Sequence, residues 1–212
     1  EDAYMDILAL GTVCDIMPLT DENRIFVKRG LRRLTNSTNL GINALKKALG
    51  LDGKPIEVHH LSFRIGPSLN STGRLESAKE GVELLLTDDP ARAESLAQDM
   101  AKLNELRKEM TDRGVRAATD WVRKDIRMIP TEDGVKEKKI GDDKVIVLYM
   151  PGIHESIAGL IASKLKEAFY RPTLVFTAAE NGQGLKGSGR SIETYNMFDK
   201  LCEHKELFVK VG

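Results

Sequence analysis

The sequence predicts an α/β fold, and three observations carry the prediction. "VIVLYM", "HESIAGLIASKLKEAF" and "RPTLVFTA" follow one another between residues 145 and 178 as a buried strand, an amphipathic helix and a second strand. That order is the pattern of a parallel crossover. Apolar residues also recur every three or four positions at Ala93, Leu96, Met100, Leu103, Leu106 and Met110, and continue to Trp121. This is the period of one helix about 35 residues long, about 50 Å at 1.5 Å per residue. Finally, 41% apolar and 30% charged residues in a chain of 212 suit a globular protein of one large or two modest domains.

The elements follow in order. Residues 6 to 13 read as an apolar strand or a short helix, with Gly11 favouring the strand, and "PLTDENR" reads as a turn. Residues 24 to 35, "RIFVKRGLRRLT", space apolar residues at 25, 27, 31 and 34 among five basic ones, as an amphipathic helix does. "GINALKKALG" predicts a short helix closed by its last glycine. Residues 56 to 63 look extended, and one of His59 and His60 would face inward as packing. "RIGPSLNSTGR", residues 64 to 74, mixes Gly, Pro, Asn and Ser and predicts an irregular loop. Helices follow from Ser77 to Leu86 and, with Asp89 as N-cap and Pro90 in the first turn, through the long repeat. Residues 129 to 144 are polar and turn-rich, an exposed loop or hairpin. "LKGSGRS" follows the turn "NGQG", and "YNMFDKLCEH" is a further helix.

Global features exclude several classes. Lys plus Arg and Asp plus Glu number 32 each, so no overall field advertises a polyanionic partner, although local basic clusters remain available. Cys14 and Cys202 lack metal-type spacing and predict reduced thiols in a cytoplasmic protein. No apolar run approaches the roughly 20 residues of a membrane span, and no signal peptide is evident. The chain starts at Glu1 almost directly in an apolar run and stops in the strand-like "LFVKVG", which predicts a segment of a longer protein.

Three clusters can carry chemistry. Asp15 ends the apolar stretch "LALGTVCD", where a carboxylate is either a metal ligand or a cap. In "RIGPSLNSTGR", Arg64, Asn70, Ser71, Thr72 and Arg74 form a cluster that could hold a phosphate, the alternatives being arginines paired with Glu76, Glu80 or other nearby carboxylates and an Asx-turn at Asn70. In "KGSGRS", glycines flank Ser188 between Lys186 and Arg190, either an anion-binding nest of backbone amides or a basic turn. His154 opens a helix beside Glu155 within reach of a ligand, and His204 lies exposed among charges. CxxC, HExxH and GxSxG patterns are absent, which removes thiol-redox, zinc-protease and hydrolase-elbow chemistries.

Taken together, "LALGTVCDIMPLTDENR", "FRIGPSLNSTGR", "GVELLLTDD", "PGIHESIAGLIASKLKE" and "KGSGRSIETYNMFDKL" resemble the RecJ family within the DHH phosphoesterase superfamily. The resemblance runs over nearly the whole chain and implies the C-terminal end of a DHH domain, a long connecting helix and a partial α/β DHH-associated domain. The corresponding boundaries are 1–88, 89–128, an insertion-like stretch at 129–144, and 145–212. The implied activity is 5′-to-3′ hydrolysis of single-stranded DNA in repair and recombination, by a pair of Mn²⁺ or Mg²⁺ ions. Asp15 would be a surviving metal ligand. Arg74, Ser188 and Arg190 would bind a substrate phosphate, with Asn70, Lys186 and His154 as weaker candidates. A helicase or a single-strand-binding protein would be a partner of the whole enzyme. With the Asp-His-His motif upstream of Glu1, the chain alone would be inactive. Two other readings remain: a DHH phosphodiesterase of short oligonucleotides or cyclic dinucleotides, and, for the chain itself, a non-catalytic nucleic-acid-binding module.

Overall fold

A computed structural model describes residues 4–75, 77–131, 134–180 and 182–212, with the side chains of 74, 75, 127 and 129–131 outside the description. The chain divides into two compact units, Glu1–Arg107 and Lys108–Gly212.

The first unit is helical among its described residues. Of the strand and the short helix open to residues 6 to 13, and against the preference of Gly11, the chain forms the helix, α1 (Met5–Cys14). Its apolar residues pack against α2 (Asp21–Thr35), and Gly30 of α2 allows the close approach. A Cβ there would lie 2.2 Å from Ala9 Cβ and 2.4 Å from the Met5 carbonyl oxygen. Helix α3 (Leu40–Ala48) is capped at both ends. Asn39 Oδ1 accepts from the Ile42 amide at 2.9 Å. At the other end Gly50, at φ +64°, donates to the Lys47 carbonyl while Leu51 donates to that of Lys46, the paired bonds of a glycine-closed C-terminus. The predicted glycine stop is therefore met.

Residues 58 to 75 correct two expectations. The stretch read as extended forms α4 (Val58–His60) and a π-helical turn (Leu61–Ile65), and the predicted loop continues as α5 (Gly66–Leu75). A proline inside an α-helix collides with the carbonyl four residues earlier. The wider π turn ends two residues before Pro67 and contains Phe63, four residues ahead of that proline, and a single such turn inside a helix is a recognised accommodation. His60 Nδ1 accepts from the Glu57 amide at 3.0 Å, so this histidine caps the helix instead of facing inward from a strand. Helix α6 (Lys79–Leu86) and the first half of α7 (Pro90–Lys124) complete a core centred on Leu34, Leu45, Leu61, Leu84 and Met100. Asp89 caps α7, its Oδ1 accepting from the Ala91 amide at 2.9 Å.

In the second unit β1 (Ile126–Thr131) and β2 (Gly134–Lys139) pair antiparallel. A separate sheet has the order β3 (Ile146–Tyr149), β4 (Thr173–Ala178), β5 (Leu185–Arg190). The β3–β4 pair is parallel, joined through α8 (Glu155–Phe169), as the strand–helix–strand pattern predicts. The β4–β5 pair is antiparallel. Ile146, Leu148, Val175, Ile157, Ile161 and Leu165 form the core with Ala118 and Val122 of α7. Gly114 seats Ile161, whose Cδ1 lies 2.4 Å from where a Cβ would stand, so this glycine serves packing and α7 runs on through it. After α9 (Met197–Cys202) the strand-like "LFVKVG" pairs with no strand among the described residues. The α/β class expected from the sequence is the class observed.

Candidate phosphate-binding site

In the second unit, "KGSGRS" is neither a nest nor a turn. It is strand β5, in register with β4 through Phe176↔Gly187 and Leu174↔Gly189, and no residue of the strand has a positive φ. Both glycines serve packing. A Cβ on Gly187 would stand 2.6 Å from the Phe176 ring, and one on Gly189 would stand 2.4 Å from Met197 Sδ. Alternation along a strand sends every second side chain to the same face, so Lys186, Ser188 and Arg190 share the other one. Lys186 and Arg190 make their contacts there to α8.

Three α8 residues a turn apart meet this face. Lys186 pairs with Glu155. Arg190 donates from Nε to Ser163 Oγ at 2.9 Å, and its guanidinium lies over Gly159, with Nη2 2.8 Å from where a Cβ would be. The electrostatics of the two cations differ. The Lys186 ammonium and then the Glu180 amide hold the Glu155 carboxyl below the usual carboxylate range, and Lys186 is raised in turn. Its charge is neutralised locally. Arg190 is exposed and donates only to the Ser163 hydroxyl and the Gly189 carbonyl among the described residues. Two of its five N–H donors are committed to neutral acceptors, and its full charge remains. Ser188 is partly buried, and its hydroxyl makes no side-chain hydrogen bond among the described residues.

His154 is the N-cap of α8. Its Nδ1 accepts from the Ser156 amide at 3.2 Å, which places the proton on Nε2, 2.8 Å from Glu180 Oε1. Both ring nitrogens are thus committed inside the unit. Gly159, Ser163 and Glu180 carry no role in the sequence reading, and Glu155 enters it only as the neighbour of His154. Their only signal was the four-residue spacing of 155, 159 and 163 along a helix, which points at β5 only after the sheet is assembled.

The first unit holds the remaining residues. Asp15 is exposed and stands at the C-cap of a helix, not at the end of a strand. A carboxylate there opposes the helix dipole, and it forms no ion pair among the described residues. Asn70 is exposed on α5 and makes no side-chain hydrogen bond among the described residues, so the Asx-turn is not formed. The side chain of Arg74 lies outside the described residues. Arg64 donates to the Leu49 carbonyl and not to a carboxylate. The other polar groups of the stretch fold back on the backbone. Ser68 donates to the Arg64 carbonyl at 2.8 Å, Thr72 to that of Leu69 at 2.9 Å, and Ser71 to those of Ser68 and Met100. All three are fully buried. Gly66 completes the packing, since a Cβ would lie 2.4 Å from Cys14 Sγ.

No protein-family profile matches the chain. A single-stranded-DNA-specific exonuclease RecJ of Bacillus subtilis is 34% identical over 211 residues, spanning 100% of this chain and 25% of that protein. The RecJ of Thermus thermophilus is 34% identical over 209 residues, 99% of this chain and 28% of that protein. A crystal structure of RecJ from Thermus thermophilus in complex with Mg²⁺ superposes with a TM-score of 0.79 at 30% identity, covering 98% of this chain and 29% of that one. A crystal structure of exonuclease RecJ bound to manganese gives 0.77 at 31% identity, covering 98% and 47%. The chain spans about a quarter to a third of the length of the curated relatives it matches. In sequence and in fold, from one end to the other, this chain is similar to a part of the RecJ single-stranded-DNA-specific exonucleases.

Proposed function

We propose that the chain is a substrate-handling part of a RecJ-type exonuclease that hydrolyses single-stranded DNA from its 5′ end. The observation that carries this reading is the β5–α8 face, where un-neutralised Arg190 stands two residues from the unbonded hydroxyl of Ser188. A guanidinium with free N–H donors beside a hydroxyl donor is matched to phosphate oxygens. Lys186 is the weaker contributor because Glu155 already neutralises it. Asn70 and Arg74 are offered as phosphate contacts within the first unit. Residues 1–88 are read as the C-terminal part of a DHH domain, 89–128 as the connecting helix and 145–212 as a partial DHH-associated domain. The two cysteines are both free, which supports a cytoplasmic protein.

Divalent metal would supply the nucleophile and stabilise the phosphate charge in the whole enzyme. Asp15 is offered as one ligand. Among the described residues no group of three or more His, Cys, Asp or Glu side chains is gathered to hold an ion. One carboxylate does not make a two-metal site, so the chain by itself binds DNA without cutting it.

The test compares 5′-phosphorylated and 5′-hydroxyl oligothymidylate on the 212-residue chain in the presence of Mn²⁺. The phosphorylated strand should bind tighter, Arg190→Ala should remove about tenfold of that preference, near 1.4 kcal/mol, and no mononucleotide should be released. Equal affinity for the two ends in the native chain defeats the phosphate assignment, and enzyme-like mononucleotide release defeats the claim of inactivity.

A further inference from the structure

We propose that the solvent face of α2 is a track for the sugar-phosphate backbone of single-stranded DNA, separate from the end-recognising residues of the second unit. The proposal takes its choice of polymer from the function given above, but its observations are independent.

Helix α2 holds five cations, Arg24, Lys28, Arg29, Arg32 and Arg33, and all five are exposed. None forms an ion pair or a side-chain hydrogen bond among the described residues. The rest of the surface is mixed: Arg113, Arg116 and Lys136 are exposed and likewise without a partner among the described residues, while other cations are paired. Lys47 pairs with Glu94, Arg92 with Glu83, Lys102 with Asp99, Lys164 with Glu167 and Lys200 with Glu203. Five cations fall within ten residues of α2, and the helix itself places only Asp21 and Glu22 beside them. Arg32 and Arg33 complement the C-terminal end of the helix dipole. Arg24, Lys28 and Arg29 gain nothing from it, because the effect fades beyond the last turn.

Geometry makes the cations a track. Arg24, Lys28 and Arg32 recur every four residues, and so do Arg29 and Arg33. Each step advances about 6 Å along the axis at 1.5 Å per residue. Phosphates of one stacked strand are about 3.4 Å apart along the axis, so alternate phosphates repeat at about 7 Å. The rotation of α2 is also fixed. Val27 and Leu34 are buried, and Gly30 is pressed against Ala9 and the Met5 carbonyl, which leaves the basic arc facing solvent. The half-exposed Ile25 lies within that arc, an apolar contact for sugar or base.

The test is the salt dependence of binding to a 5′-hydroxyl oligothymidylate, which lacks the terminal phosphate, read by fluorescence anisotropy on the 212-residue chain. Single strands lose about 0.7 in log affinity per log salt for each phosphate neutralised. The combined Arg24→Gln, Lys28→Gln, Arg32→Gln variant should lower that slope by about 2 between about 50 and 200 mM KCl, with affinity down about tenfold or more at the low end. A matched Lys102→Gln, Lys164→Gln, Lys200→Gln variant, which removes equal charge from paired sites, should keep the native slope. Circular dichroism and melting confirm folding, and the milder Lys28→Gln alone should lower the slope by about 0.7 if the triple variant unfolds. Equal slopes for the native chain and the α2 variants overturn the track, as does competition by polyglutamate equal to that of DNA. If only 5′-phosphorylated strands bind, the track falls while end recognition stands. If the slope drops but the 5′-phosphate has no effect, the reverse holds.

Discussion

At the scale of single residues, Cys14 shows how packing sets reactivity. Its thiol sits half-buried against Gly66 and the Leu61 carbonyl. Burial and, secondarily, the neighbouring Asp15 charge push its pKa above the ordinary thiol value. A raised pKa lowers the thiolate fraction that reacts. Cys202 is exposed. Ellman's reagent at about pH 8, below the ordinary thiol pKa of about 8.5, should therefore label Cys202 first and Cys14 only slowly. Equal rates at the two sites would show the α1–α5 contact to be open in solution. Neither glycines nor cysteines in the sequence announced this contact. Gly66 read as a loop glycine, because its partner lies 52 positions earlier and its reason is lack of space.

Whole elements depend on side chains placed elsewhere. The C-terminus of α2 is closed by Lys46 of α3, only 4% exposed, whose ammonium donates to the Leu34 and Thr35 carbonyls at 2.9 and 2.8 Å and to Asn43 Oδ1 at 3.3 Å. Burial pushes its pKa down, and the carbonyls keep it satisfied. Lys46→Met should cost about 3 kcal/mol, since charged hydrogen bonds are lost and buried carbonyls are left unpaired. Urea unfolding measures it, and a loss below about 1 kcal/mol would mean water replaces the ammonium. A second link joins α8 to β5 through Glu155 and Lys186. Because the folded state holds Glu155 below its usual pKa, the unfolded chain binds its proton more tightly. That contribution is complete above the unfolded value of about 4.3 and is lost as pH falls through the lower folded value. The melting-temperature gap between the native chain and Glu155→Gln should accordingly close below about pH 4. A gap that stays constant as the pH is taken well below about 4 would remove the ion pair as its source.

For the whole molecule, periodicity was the legible signal. The crossover β3–α8–β4, the long α7 with its Asp89 cap, the amphipathic α2 and the glycine stop of α3 were readable because each rests on spacing or on local capping. Residues 56 to 75 depart from the sequence expectation for one reason. Their composition favours strands, turns and loops, but burial reversed the preference. Once Ser68, Ser71 and Thr72 are enclosed, their hydroxyls satisfy themselves on helical carbonyls, and a π turn precedes Pro67. "KGSGRS" was misread in the opposite direction, since its glycines make room for Phe176 and Met197 on a strand.

By itself the sequence determined the α/β class, the resemblance to RecJ, and which residue types are present to hold a phosphate. Those follow from local periodicity and from the order of motifs along the chain. Tertiary structure alone decided which cations are available. Glu155 neutralises Lys186, neutral acceptors hold Arg190, and no carboxylate among the described residues pairs with the cations of α2. Charge is a property of residues, but its availability depends on which opposite charge folding brings within a few ångströms.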